Sequence, residues 1–181
     1  DAAMNVDFVD FVPPATQPVE AESGVVLGAA SIYPDAAASG GQGVAYISAP
    51  NAGLQITGAP SASGVEIRYA SAQSGSLSAF VDGNLVGAVD FASTGGWVGN
   101  YGLVSFATNI PAGSNFELRF RDGDTAMNVD RVDFLPPAPV APDPVVAHAL
   151  RRRRFCCGVR VVLSESTWFA RLSRGLSLPC R

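Results

Sequence analysis

The stretch LSAFVDGNLVGAVDF, residues 77–91, decides the fold. Leu77, Ala79 and Val81 alternate with Ser78 and Phe80 up to Asp82-Gly83-Asn84, and residues 85–91 run back. A period of two marks a strand with one buried face, and Asp-Gly between two such runs is hairpin turn chemistry. The same grammar continues on either side. Val65, Ile67 and Tyr69 alternate with Glu66, Arg68 and Ala70. Val104, Phe106 and Thr108 lead to Pro111-Ala-Gly113, and Phe116, Leu118 and Phe120 follow it. No segment sustains a helical period, and 19 Gly with 13 Pro suit many short strands joined by turns. The expectation is an all-β chain folded as an antiparallel β-sandwich or jelly roll.

An internal repeat sets the domain boundaries. Residues 1–14, DAAMNVDFVDFVPP, match residues 124–137, DTAMNVDRVDFLPP, except at Ala2/Thr125, Phe8/Arg131 and Val12/Leu135. The offset is 124 − 1 = 123 residues, the size of a whole domain. Residues 1–14 therefore read as the last strand of a preceding tandem copy and 15–17 as a Pro-rich spacer. One complete module occupies 18–137, a Pro-rich linker 138–144, and a basic tail 145–181. The start at Asp1, without Met or a basic-then-apolar leader, reads as a fragment or processed piece.

Charge divides at the same place. Through Pro144 there are 4 Arg and 15 acids, 4 − 15 = −11; from Val145 there are 8 Arg and Glu165, 8 − 1 = +7. Lysine is absent, and Cys156, Cys157 and Cys180 all lie in the tail. This simultaneous switch reads as a disordered or out-of-frame extension. A lone cluster of four arginines does not organise a nucleic-acid surface, and no apolar run is long enough for a membrane helix. Neither nucleic acid nor membrane is expected as a partner.

Candidate chemistry concentrates in the acids. Because Phe8 stands where Arg131 does, that side chain should face water, and alternation then puts Asp130 on the core face with Val132 and Phe134. A carboxylate there needs a partner; with no lysine and few arginines, a cation is the natural one. Glu20 and Glu22, two apart, would project the same way from a strand, about 6.5–7 Å apart. Three readings stay open: a glycosidase acid/base pair, hard oxygen ligands for Ca²⁺, or solvated acids at a sheet edge. The set has no histidine, which argues against zinc; His148 lies outside the module. No Ser-His-Asp set or phosphate-binding glycine loop is present, so no catalytic residue is assigned and the module reads as non-enzymatic.

The motifs VEAES (19–23), SGGQGVAYI (39–47), EIRYAS (66–71), STGGW (93–97), IPAGSNFELRF (110–120) and NVDRVDF (128–134) occur in that order. In this the chain resembles carbohydrate-binding modules of families 6 and 35. The resemblance implies a galactose-binding-domain-like jelly roll, secreted and attached to polysaccharide-degrading enzymes. It implies a structural calcium held by Glu20, Glu22 and Asp130 with a carbonyl from 39–43; Asp133 is the reserve ligand should Asp130 prove exposed. It also implies a sugar cleft in which Tyr46 forms one wall, Trp97 or Tyr101 the other, and Asn128 the hydrogen-bonding floor. Three residues separate Trp97 from Tyr101 where many relatives have two, so the second wall stays open between them. The expected function is non-catalytic polysaccharide binding that targets an attached enzyme, with covalently linked neighbouring modules. The alternative is a structural or adhesive spacer without a working cleft.

Overall fold

The computed structural model describes residues 15–137 and the backbone of two further strands, Val159–Leu163 and Ala170–Arg174. The former carries eleven strands: β1 (Gln17–Glu20), β2 (Val25–Leu27), β3 (Ser31–Pro34), β4 (Gln42–Ile47), β5 (Gly53–Ile56), β6 (Ala62–Ala70), β7 (Gly75–Val81), β8 (Asn84–Phe91), β9 (Gly102–Ile110), β10 (Phe116–Arg119) and β11 (Met127–Leu135). They form two antiparallel sheets, a β-sandwich as expected. One runs β3-β4-β11-β6-β9 with β1 also on β11; the other runs β2-β5-β10-β7-β8. β12 (Val159–Leu163) and β13 (Ala170–Arg174) pair with each other. Residues 1–14, expected as a strand of a preceding copy, and the rest of the tail lie outside the described residues.

The alternating runs become strands because one face of each meets the other sheet. Val65, Ile67, Val132 and Phe134 are buried from one side, and Leu54, Leu77, Phe116 and Leu118 from the other. Phe116 and Phe134 meet edge to face across the sandwich, centroids 6.0 Å apart at 82°. Asp82 (φ 50) and Gly83 (φ 76) take the successive positive dihedrals of a type I′ hairpin, whose twist matches that of the strands. Asn115 N–H donates to Asp82 Oδ1 (2.8 Å), tying this hairpin to the crossover after β9.

Two bulges position the functional face. On β11, Val129 pairs with Tyr69 and Arg131 with Arg68, leaving Asp130 as an extra residue. On β4, Val44 pairs with Val129 and Ile47 with Met127, so Ala45 and Tyr46 together stand opposite Asn128. The β11 bulge corrects the expectation for Asp130. Val129 and Val132 both face the core, so the alternation skips a beat, and Asp130 points outward beside Arg131. It is nevertheless fully buried. The three positions at which the internal copies differ, Thr125, Arg131 and Leu135, are only partly buried. Every buried residue of β11 is the same in both copies, including the outward polar Asn128, Asp130 and Asp133.

Candidate functional site

Glu20 ends β1, and Ala21–Ser23 forms a single 3₁₀ turn. The two glutamates therefore do not share a strand face, contrary to the sequence reading. The turn closes because Ser23 Oγ donates to Glu20 O (2.6 Å) and Gly24 N–H to Ala21 O (3.0 Å). Both carboxylates meet instead around Gly40, whose φ of 67° suits glycine. A Cβ at Gly40 would stand 2.7 Å from Glu22 Oε1 and 3.9 Å from Glu20 Cδ. Ser39 Oγ donates to Glu20 Oε1 at 2.7 Å.

Asp130 sits behind this loop. Its partner is Arg68, which donates to Oδ2 from β6, so the inference that no basic group was at hand is corrected. Both residues face outward from adjacent strands, which the bulge makes neighbours. Burial nevertheless raises the Asp130 carboxyl above its ordinary value, opposed by the Arg68 hydrogen bond and charge. Glu20 Oε2, Glu22 Oε2 and Asp130 Oδ1 are buried without a hydrogen-bond partner. An unpaired buried acceptor is costly, and all three are hard donors of the kind that suits Ca²⁺. Among the described residues no three acidic side chains converge as a preformed metal cage. The donor chemistry fits a hard cation that would draw these oxygens together. Asp133, the reserve ligand, accepts from Arg131 Nη2 at 2.9 Å.

Aromatic groups gather at the other end of the same face. The β4 bulge holds Tyr46 at φ 62°, an uncommon dihedral for a bulky residue, and leaves it 63% exposed. Opposite it, the buried Asn128 donates from Nδ2 to Trp97 O at 2.7 Å. Trp97 stays 39% exposed on the loop between β8 and β9. That loop is anchored at the end of β6, where Thr94 N–H donates to Ser71 O (2.8 Å), and braced internally by Asn100 Nδ2 donating to Thr94 O (2.7 Å).

Tyr101 is spent on framework contacts. Its hydroxyl bonds Asp35 Oδ2 and Tyr33 OH, each at 2.7 Å, and the Arg68 guanidinium stacks on its ring at 4.2 Å. Burial, then the hydrogen bonds to Tyr33 and Asp35, push its phenol upward, so it remains protonated. Tyr33 lies across Gly43, where a Cβ would stand 3.1 Å from its ring. Asp35 accepts from Ala37 N–H (3.0 Å) and Gly99 N–H (2.7 Å), joining the loop after β3 to the loop that carries Trp97. Those bonds hold its carboxyl below the ordinary value.

Tyr46, Asn128 and Trp97 are thus brought into one neighbourhood, and Glu20, Glu22 and Asp130 into another. Arg68 belongs to the second: besides Asp130 and the Tyr101 ring it reaches Ala37 O at 3.1 Å. Sequence reasoning missed Tyr33, Asp35 and Arg68. Only Arg68 left a signal, its outward position in the alternation of β6.

Exposed rings beside an amide can dock the apolar faces of sugar rings while the amide serves a hydroxyl pair. The solved family 35 carbohydrate-binding module from Clostridium thermocellum is 26% identical, with a TM-score of 0.57 over 65% of this chain and 98% of that one. The exo-β-1,3-galactanase from Phanerochaete chrysosporium, solved with galactose, is 21% identical, with a TM-score of 0.59 over 66% of this chain and 29% of that one. The catalytic domain of a GH87 α-1,3-glucanase, in complex with nigerose, is also 21% identical, with a TM-score of 0.59 over 71% and 30%. This chain spans less than a third of either enzyme's length, and the likeness to them is one of fold. No protein-family model and no curated sequence matches the chain. The resemblance of the motifs to family 35 modules extends to a solved member, and that likeness supports carbohydrate binding.

Proposed function

We propose that residues 18–137 are a non-catalytic module that binds a polysaccharide through Tyr46, Trp97 and Asn128. In a secreted protein it brings an attached carbohydrate-active enzyme to its substrate. The observation that carries this reading is Tyr46: a bulge and a left-handed backbone present a bulky ring to solvent, opposite a buried amide. Strain of that kind persists where surrounding structure over-determines it, and such places cluster at ligand sites. Of the two candidates for the second wall, Trp97 is the better one, because Tyr101 already has partners on its hydroxyl and ring. The glycosidase reading of Glu20 and Glu22 is disfavoured, since each keeps one oxygen buried around Gly40 instead of facing an open cleft.

Ca²⁺ is proposed as the structural ion, with Glu20, Glu22 and Asp130 as its acidic ligands. The formal charge of these three with Arg68 is 1 − 3 = −2, which a divalent cation cancels. When bound, the ion would supply positive charge to the unpartnered oxygens; the residues themselves order the loop 39–41.

A glycan array probed with the full chain, with and without chelator, tests the reading. Binding that disappears in Tyr46→Ala while the fold persists is expected. Failure of the wild type to bind any glycan would leave the structural-spacer reading in its place.

A further inference from the structure

We propose that this cleft selects uncharged glycans and rejects glycuronans, with Asp35 as the specificity-determining residue; the inference rests on the carbohydrate-binding reading above. Recognition of a carboxylated sugar needs a cation free to meet it, most often an arginine fork. Residues 15–137 hold 4 Arg, 11 acids and no lysine, 4 − 11 = −7.

None of the four arginines is placed to meet a ligand carboxylate at this cleft. Arg68, the cationic side chain next to Tyr101, is spent on Asp130 and Ala37 O. Arg131 pairs with Asp133, and Arg119 stacks on Phe80 and pairs with Glu117 on the outer face of the opposite sheet. Arg121 stands on the loop before β11 and is followed there by Asp122 and Asp124, which leave that loop net acidic; its own N–H donates to Asp124 Oδ2. A divalent ion at the carboxylate cluster would bring the local sum to zero and leave no surplus positive charge.

Asp35 adds an anion beside the loop that carries Trp97. It sits between the loop after β3 and the Trp97 loop, accepting from Gly99, Ala37 and Tyr101. Those three donors stabilise its ionised form and hold its carboxyl below the ordinary value, so at neutral pH it is charged, as uronates are. Its cost falls on acidic ligands alone, and specificity by repulsion of the wrong partner is a general device.

The test uses the full chain and ligands that differ only in charge, with the residual binding of Tyr46→Ala subtracted so that attraction to the arginine-rich residues 145–181 does not count. Glucuronoxylan and polygalacturonate are each compared with their carboxyl-reduced forms, at low and at physiological salt. The reduced form is expected to bind at least about tenfold tighter at low salt, with the gap narrowing as salt screens the repulsion. Asp35→Asn, which keeps one carbonyl oxygen to accept from Gly99, should shrink that ratio. The wild-type salt dependence stands as an independent reading should the variant lose structure. Tighter binding of an acidic polymer than of its reduced partner, or a ratio that salt does not change, overturns the inference and leaves carbohydrate binding intact. If neither these polymers nor neutral galactan, mannan or β-glucan bind at all, the carbohydrate reading fails and takes this inference with it.

Discussion

Replacing Tyr46 with alanine and, separately, with glycine divides the two things this residue does. Its ring is 63% exposed, so it buries only about a third of the ~200 Å² an aromatic side chain can bury. At about 25 cal/mol per Å², truncation removes roughly 1–2 kcal/mol of packing. The backbone dihedral works the other way: a left-handed conformation costs a residue with a Cβ roughly 1–2 kcal/mol, and glycine is spared it. Tyr46→Ala should therefore lose about 1–2 kcal/mol. Tyr46→Gly should come close to wild type, and for a domain of this size the two variants should differ by several degrees in Tm. Both should lose glycan binding. Calorimetry of the three proteins beside affinity electrophoresis in a neutral glycan checks this. An alanine variant as stable as the glycine variant would refute the strained-bulge argument. Unfolding of both would make Tyr46 a core residue.

Three further outcomes are expected. Saturating Ca²⁺ should raise Tm relative to EDTA, because a ligand at 1,000 times its dissociation constant adds about 4 kcal/mol; identical melting curves would count against the ion. Arg68→Met should destabilise the chelated protein by about 3–5 kcal/mol, since it strands the fully buried Asp130 carboxylate, and Ca²⁺ should restore part of that loss. A variant that melts like wild type in EDTA would deny the ion pair its role. Asp35 has a folded-state carboxyl below its ordinary 3.8, so its stabilisation is present above that pH and disappears as the pH falls through the lower folded value. The Tm gap between wild type and Asp35→Asn should accordingly be widest near neutrality and close in acid, and a pH-independent gap would contradict the clamp.

What could be read from the sequence was what depends on local alternation. The runs around Ile67, Ala79, Phe106 and Leu118 became β6, β7, β9 and β10, and Asp82-Gly83 became the hairpin turn that its residues demand. Strands β2 (VVL) and β3 (SIYP) carry no apolar-polar alternation to read. The bulges escaped for a different reason. An extra residue on β11 or β4 is defined by pairing with a neighbouring strand, and nothing local to Asp130 or Tyr46 announces it. Carrying the alternation of Val132 and Phe134 through Asp130 therefore placed it on the wrong face, although its burial was anticipated. Glu20 and Glu22 failed similarly: a rule for strands was applied across the 3₁₀ turn that Ser23 closes. The partnership of Arg68 with Asp130 required the register of β6 against β11. Tyr33 and Asp35 required knowing that the loop after β3 lies beside Tyr101.

The central claim, a glycan cleft formed by Tyr46, Trp97 and Asn128, is tested most directly by a side-chain-resolved NMR titration with a neutral oligosaccharide from the array. The Trp97 indole N–H, the Asn128 side-chain amide and the Tyr46 ring should shift together along a single binding curve, while Phe80 and Arg119 on the opposite sheet stay still. Shifts confined to that opposite sheet, or a Trp97 signal that does not move while the glycan binds, would contradict the account.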